Sequence, residues 1–283
     1  MKIGIVSSAY FKTKTPEEGL LRMKKHGYSA MDYSFMNTES PLFSASNEEF
    51  DQILRSERES IERAGIQVSQ THGPWRYPPR DGTEEDRQER FEKMSRVLHA
   101  TAVLGAKYMV IHPIMPFGTW DEQDEEALFQ INVDFFRRLS AVAEKEQVII
   151  CLENMPFTRF PLSTPEEIMA VVKAVNHPAL RVCLDTGHCV TKGIDLGDAV
   201  RLIGKDYLCA LHVHDNTGER DEHQLPYYGK ANWDHFTQAL KEIGFTGVLS
   251  LECRIKNQMP PEIREHHEIG LAMIARHLAD QCE

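Results

Sequence analysis

One phrase recurs where a helical pattern gives way to an apolar run: "KKHGYSA", "ERAGIQV", "LGAKYMV" and "KEIGFTG". Each reads as helix, glycine, one or two residues, strand, which is the chemistry of a tight turn from a helix into a strand. The apolar runs that these phrases lead into are spread over the whole chain. They are "KIGIVSS" (2–8), "AMDYSF" (30–35), "IQVSQTHG" (66–73), "YMVIHPI" (108–114), "VIICLEN" (148–154), "LRVCLDTGH" (180–188), "LCALHVHDN" (208–216) and "GVLSLECR" (247–254). Amphipathic stretches separate them. "TPEEIMAVVKAV" opens on Thr164, Pro165 and two glutamates, an N-cap followed by a favourable first turn. Eight strands alternating with helices in 283 residues predict an α/β protein built as a single (β/α)8 barrel, one domain over residues 1–283. The alternative, a doubly wound sheet, normally carries a glycine-rich phosphate loop after its first strand. Here "SSAYFKTK" stands in that place. "WRYPPRDG" (75–82) and "HQLPYYGKAN" (223–232) read as long loops over the barrel mouth.

In such a barrel the C-terminal strand ends converge on one face, where active sites form. The third run ends in His72, the fourth in His112, the fifth in Glu153 and the sixth in Asp185 and His188. The seventh ends in His212, His214 and Asp215, its loop adds Asp221 and His223, and the eighth ends in Glu252. A lone histidine is more often a satisfied loop or core group than a ligand. Recurrence at the same end of six runs points instead to a cation that holds carboxylates and imidazoles together. Glu153, Asp185, His212 and Glu252, one each from the last four strands, make a mixed oxygen and nitrogen shell. That shell suits Mn²⁺, Zn²⁺, Co²⁺ or Mg²⁺. His72, His112, His188, His214, Asp221, His223 and Arg254 are candidates for further metal or substrate contacts. Lys230, Arg254 and Lys256 could bind a phosphate if the substrate carries one. Cys151, Cys183, Cys209 and Cys253 lie within three residues of these ligands and read as reduced thiols in the barrel wall. Asp195, Asp198 and the "EQDEE" run read as helix caps and solvated faces.

The formal net charge of −11 argues against a broad grip on nucleic acid, which depends on cationic neutralisation of phosphates. "MKIGIVSSAY" lacks the apolar core of a signal peptide, and no apolar run reaches the roughly 18 residues of a membrane span. The expectation is a cytoplasmic protein with reduced cysteines and no membrane partner.

"VIICLEN", "VCLDTGH", "LHVHDN", "YGKANWD" and "LSLEC" resemble the xylose-isomerase-like barrel superfamily of sugar isomerases, sugar epimerases and endonuclease IV. The resemblance spans the chain and is strongest from residue 148 to 254. From the ketose 3-epimerase branch it implies metal ligation by Glu153, Asp185, His212 and Glu252. Glu153 and Glu252 would also be the catalytic acid/base pair, and His188 would touch the substrate. That branch carries an arginine six positions after the strand-seven ligand; here the position is Gly218, with Arg220 nearby. From the endonuclease IV branch it implies a trinuclear zinc set at His72, His112, Glu153, Asp185, His188, His212, Asp221, His223 and Glu252. The implied activity is isomerisation or epimerisation of a sugar or sugar phosphate, by proton abstraction beside a carbonyl through an enediolate. Alternatives are phosphodiester hydrolysis on abasic DNA and the chemistry of a dehydratase or inositol-pathway isomerase. The implied partner is a small sugar, in a chain that pairs as a homodimer or homotetramer.

Overall fold

The computed structural model describes residues 1–11, 15–119, 124–256 and 258–283. In it the apolar runs become eight parallel strands: β1 (Lys2–Val6), β2 (Ala30–Ser34), β3 (Gln67–His72), β4 (Tyr108–Ile111), β5 (Ile149–Glu153), β6 (Leu180–Asp185), β7 (Leu208–His212) and β8 (Val248–Leu251). From β1 to β7 each strand pairs with its sequence neighbour, and β1 also pairs with β8. The ring closes just beyond β7: Val213 N–H donates to the Ser250 carbonyl at 2.9 Å, and Glu252 N–H donates to the Val213 carbonyl at 3.1 Å. The fold is the expected (β/α)8 barrel.

The crossovers carry α1 (Ser8–Phe11), α2 (Pro16–Lys25), α3 (Asn47–Arg63), α4 (Glu84–Val103), α5 (Glu125–Lys145), α6 (Pro165–Val175), α7 (Thr186–Thr191), α8 (Leu196–Ile203), α9 (Trp233–Glu242) and α10 (Pro261–Gln281). Caps match the sequence signals. Thr164 and Glu167 form a reciprocal capping box on α6, with Pro165 in the first turn. Asp195 accepts from the Asp198 N–H at 3.0 Å at the start of α8. Asp124 of the acidic run caps α5, while Glu122 and Gln123 lie outside the described residues.

The strands stop earlier than the sequence suggests. The run expected as a strand over 180–188 ends at Asp185, because the Asp185 carboxylate accepts the His188 N–H at 2.7 Å and starts α7. Side-chain capping there outcompetes strand continuation. His188 therefore sits on a helix rather than at a strand end. The run over 208–216 likewise ends at His212, and Asp215 joins Gln224 in an isolated antiparallel bridge. Below the mouth, Val110, Cys151, Cys183 and Ala210 fill the barrel interior. All four cysteines near the strand ends are free thiols; Cys151, Cys183 and Cys253 are buried and Cys209 is half-buried. They pack the wall.

Candidate metal centre

His212 ends β7 inside the mouth, almost wholly buried, between three carboxylates. Its Nδ1 lies 2.8 Å from Glu153 Oε1 and 3.2 Å from Glu252 Oε2. Its Nε2 lies 2.9 Å from Asp32 Oδ2, on β2 across the barrel. One donor atom from each of Glu153, Asp185, His212 and Glu252 lies within 4.8 Å of the others. The four residues named from the sequence as a metal shell thus meet. Glu153 also draws in His112, whose Nε2 is 3.1 Å from Oε2, and His72, whose Nε2 is 3.6 Å from the same oxygen. Despite these neighbours, Glu153 Oε2 is buried with no hydrogen-bond partner. A buried carboxylate oxygen without a donor costs several kcal/mol unless a positive charge faces it, of order the penalty for an unpaired ion.

A second group adjoins the first through Asp185. Asp185 Oδ2 lies 3.0 Å from His214 Nε2, and Oδ1 lies 3.6 Å from His188 Nδ1. Asp221 Oδ2 lies 2.9 Å from His223 Nε2 and 3.8 Å from His188 Nε2. His214 and His223 stack with ring centroids 4.2 Å apart. Asp221 Oδ1 is buried and unpartnered, like Glu153 Oε2.

Three of these imidazoles are oriented through a backbone carbonyl. His72 Nδ1 donates to Gly73 (2.9 Å), His188 Nδ1 to Asn154 (2.7 Å) and His223 Nδ1 to Glu252 (2.8 Å). A carbonyl only accepts, so each Nδ1 carries hydrogen and each Nε2 is turned toward a carboxylate. This is the arrangement in which a metal-binding histidine is fixed by its outer contacts.

The charges respond to one another. Burial presses the His212 imidazolium down, yet Glu252 and Glu153 hold it well above the ordinary histidine value. Burial likewise opposes His188, which Asp185 and Asp221 lift to about 10, and His223, which Asp221 and Glu252 lift to about 9. His112 goes the other way, down to about 4, because burial outweighs Glu153. Burial pushes the Glu153 and Asp185 carboxyls up, but the histidines beside them hold both below the ordinary carboxylate range. The buried acids thus favour protons on the imidazoles beside them. A divalent ion would replace those protons and release them.

Not every candidate joins the centre. Asp215, grouped from its position with the strand-seven end, is a structural anchor. Its Oδ1 accepts from Asn216 and Ala231 N–H, and its Oδ2 accepts from Tyr227 N–H and Trp233 Nε1–H. These bonds pin the loop over 223–232, and no oxygen remains to face an ion. Arg220 is exposed and pairs with Glu222. Arg254 is exposed, with its backbone N–H on the His223 carbonyl.

Sequence reasoning missed Asp32, Gln70, Asn154 and Thr186. The Asn154 amide brackets Asp185, donating to its carbonyl at 3.1 Å and accepting its N–H at 2.8 Å. Thr186 Oγ1 donates to the His214 carbonyl at 2.7 Å and accepts its N–H at 2.9 Å. The one available signal was Asp32, a carboxylate in the apolar run "AMDYSF".

The sequence profile of the Xylose isomerase-like TIM barrel family matches residues 20–274. A D-psicose 3-epimerase from Ruminiclostridium cellulolyticum is 32% identical over 130 residues, covering 46% of this chain and 42% of that protein. Among solved structures, a D-psicose 3-epimerase in the presence of D-fructose superposes with a TM-score of 0.80 at 19% identity, covering 98% of this chain and 99% of the other. The IolI protein with a bound zinc atom superposes with a TM-score of 0.77 at 21% identity, covering 100% and 98%.

Proposed function

The chain belongs to the xylose isomerase-like TIM barrel family, and from that premise we propose a divalent-metal-dependent isomerase or epimerase of a sugar or sugar phosphate. The observation that carries this reading is the meeting of Glu153, Asp185, His212 and Glu252 within 4.8 Å at the barrel mouth, with a buried, unpartnered oxygen on Glu153. The donor set fits a borderline or hard divalent ion: three carboxylates, one imidazole and no thiolate. The likeness to D-psicose 3-epimerases supports a ketose as the substrate class, and the zinc of the IolI protein supports a metal at this mouth.

A bound divalent ion supplies the charge that stabilises a carbonyl oxygen as negative charge develops on it. The chain supplies the rest. Glu153 at the end of β5 and Glu252 just beyond β8 both reach His212 Nδ1, so both carboxylates would stand beside a substrate held there. One takes the proton beside the carbonyl and the other returns it, which inverts or relocates the centre through an enediolate. Asp185 and His212 hold their places without exchanging a substrate proton. The Trp75 and His112 rings meet at 83°, with centroids 4.4 Å apart.

The test is solvent-deuterium exchange into a panel of ketohexoses and their phosphates. Glu153→Gln and Glu252→Gln should each slow exchange by about 10²- to 10⁴-fold. Exchange retained in both variants overturns the assignment.

One observation favours a second reading, hydrolysis of a phosphodiester by several ions. His214, Asp221 and His223 bring a further donor group within 4.8 Å of one another beside the first. The net charge of −11 weighs against a DNA substrate. Cleavage of abasic duplex DNA, together with about three zinc ions per chain, would favour this reading over proton transfer.

A further inference from the structure

We propose that Asp32 and Gln70 form a positioning pair that fixes which nitrogen of His212 faces the ion, and so sets how tightly the centre binds metal. The inference rests on the reading of His212 as a ligand given above. Asp32 is 1% exposed and Gln70 is 2% exposed, deep in the barrel beneath the mouth. Asp32 Oδ2 receives two contacts, His212 Nε2 at 2.9 Å and the Gln70 amide at 2.9 Å. The same Gln70 amide reaches the Leu211 carbonyl on β7 at 3.4 Å. The pair therefore straps β2 and β3 to β7 across the barrel, directly behind the ring of His212.

A carboxylate offers only acceptors, so the nitrogen facing it must carry the hydrogen. Both His212 nitrogens face carboxylates; with Nε2–H committed to Asp32, Nδ1, the nitrogen between Glu153 and Glu252, is the one that would give up its proton and offer a lone pair to an ion. An amide at position 32 could instead donate to Nε2 and reverse the ring's polarity. The residue type thus fits an orienting role.

The strand geometry points the same way. Among the described residues, register shifts lie at Met31/Asp32 between β2 and β3 and at Val182/Cys183 between β6 and β7. These are the strand pairs that carry the two ends of the Asp32–His212 contact. A shift of this kind re-aims the side chains that follow it. At the first, Asp32 is set opposite Gln70 and Ser69 is skipped, its hydroxyl satisfied by the Met31 carbonyl at 3.0 Å. Among the described residues Asp32 is absent from the groups whose donor atoms lie within 4.8 Å of one another, and its contact to the centre runs through His212 Nε2.

The experiment is a Co²⁺ titration followed by visible absorption, on wild type, Asp32→Asn and Gln70→Leu, with melting of the ion-free proteins as the check on folding. Asp32→Asn should weaken Co²⁺ binding about 10- to 100-fold and shift the visible band, as loss of an orienting contact does. Gln70→Leu should weaken it less, and the double variant should resemble Asp32→Asn because both act through one ring. If Asp32→Asn does not fold, ring ¹⁵N spectra of zinc-loaded wild type decide: hydrogen on Nε2 of His212 with metal on Nδ1 supports the inference, and metal on Nε2 overturns it. A folded Asp32→Asn that binds Co²⁺ with wild-type affinity and spectrum also overturns it. A wild type that takes up no cobalt removes the centre itself, and the inference with it.

Discussion

At Gly187 one added carbon would stand 1.9 Å from Cε1 of His214. The first turn of α7 lies so close to β7 that a hydrogen is all position 187 can carry. Gly187→Ala should therefore destabilise the fold by about 1–3 kcal/mol through overpacking and push His214 off Asp185. Chemical denaturation checks the first effect. The second shows as weaker metal uptake in the folded fraction, and an alanine variant of wild-type stability contradicts the close approach. At this scale legibility followed position. His72, Glu153, Asp185 and His212 could be named because each is a polar residue at the end of an apolar run, where a barrel gathers its chemistry. Asp32 could not, because its partner His212 is 180 residues away and its own strand continues past it. Asp215 misled in the opposite direction: its place at the strand-seven end looked functional, but its partners are loop N–H groups that only the folded 223–232 segment brings to it.

Helices in this molecule are tied by charged groups as well as by apolar faces. His99 on α4 lies 2.9 Å from Asp51 on α3 and 3.0 Å from Glu146 at the end of α5. Burial presses its imidazolium down, but Glu146 and Asp51 outweigh that and raise its pKa above the ordinary histidine value. A histidine with a raised folded-state pKa stabilises fully below its unfolded value of about 6.5 and loses that contribution as pH rises through the folded value. His99→Gln should thus cost stability near about pH 6 and little near about pH 9. The site is 41% exposed, so solvent screening limits the cost to about 1 kcal/mol or less. Urea unfolding of both proteins at the two pH values checks this, and equal losses at both contradict it. Elements were legible where local chemistry decides them: Thr164 with Pro165 starts α6, and Gly65, Gly105 and Gly244 adopt positive φ at the turns into strands. The extra helix α7 was hidden because its cap, Asp185, is also the last residue of a strand, and the sequence alone let the strand run on.

On the scale of the whole barrel, closure brings the last four strands together with β2 and β3, and Glu153, Asp185, His212 and Glu252 meet at one end. The chain carries a formal net charge of −11, while the mouth sets imidazoles beside its buried carboxylates. Under the proposed function, uptake of a divalent ion would displace protons from those imidazoles. The barrel and its chemical face were legible because both follow from strand count and strand ends. The cross-barrel contacts were not, because they depend on register shifts that leave no mark in the hydrophobic pattern. The most direct measurement is metal content after dialysis against Mn²⁺, Co²⁺ or Zn²⁺, for wild type and for the Asp185→Asn/Glu252→Gln double variant, with folding verified by circular dichroism. The account predicts about one or more tightly held ions per wild-type chain and their loss from the folded double variant; a wild type that retains no ion, or a folded double variant that retains the same number, would contradict it.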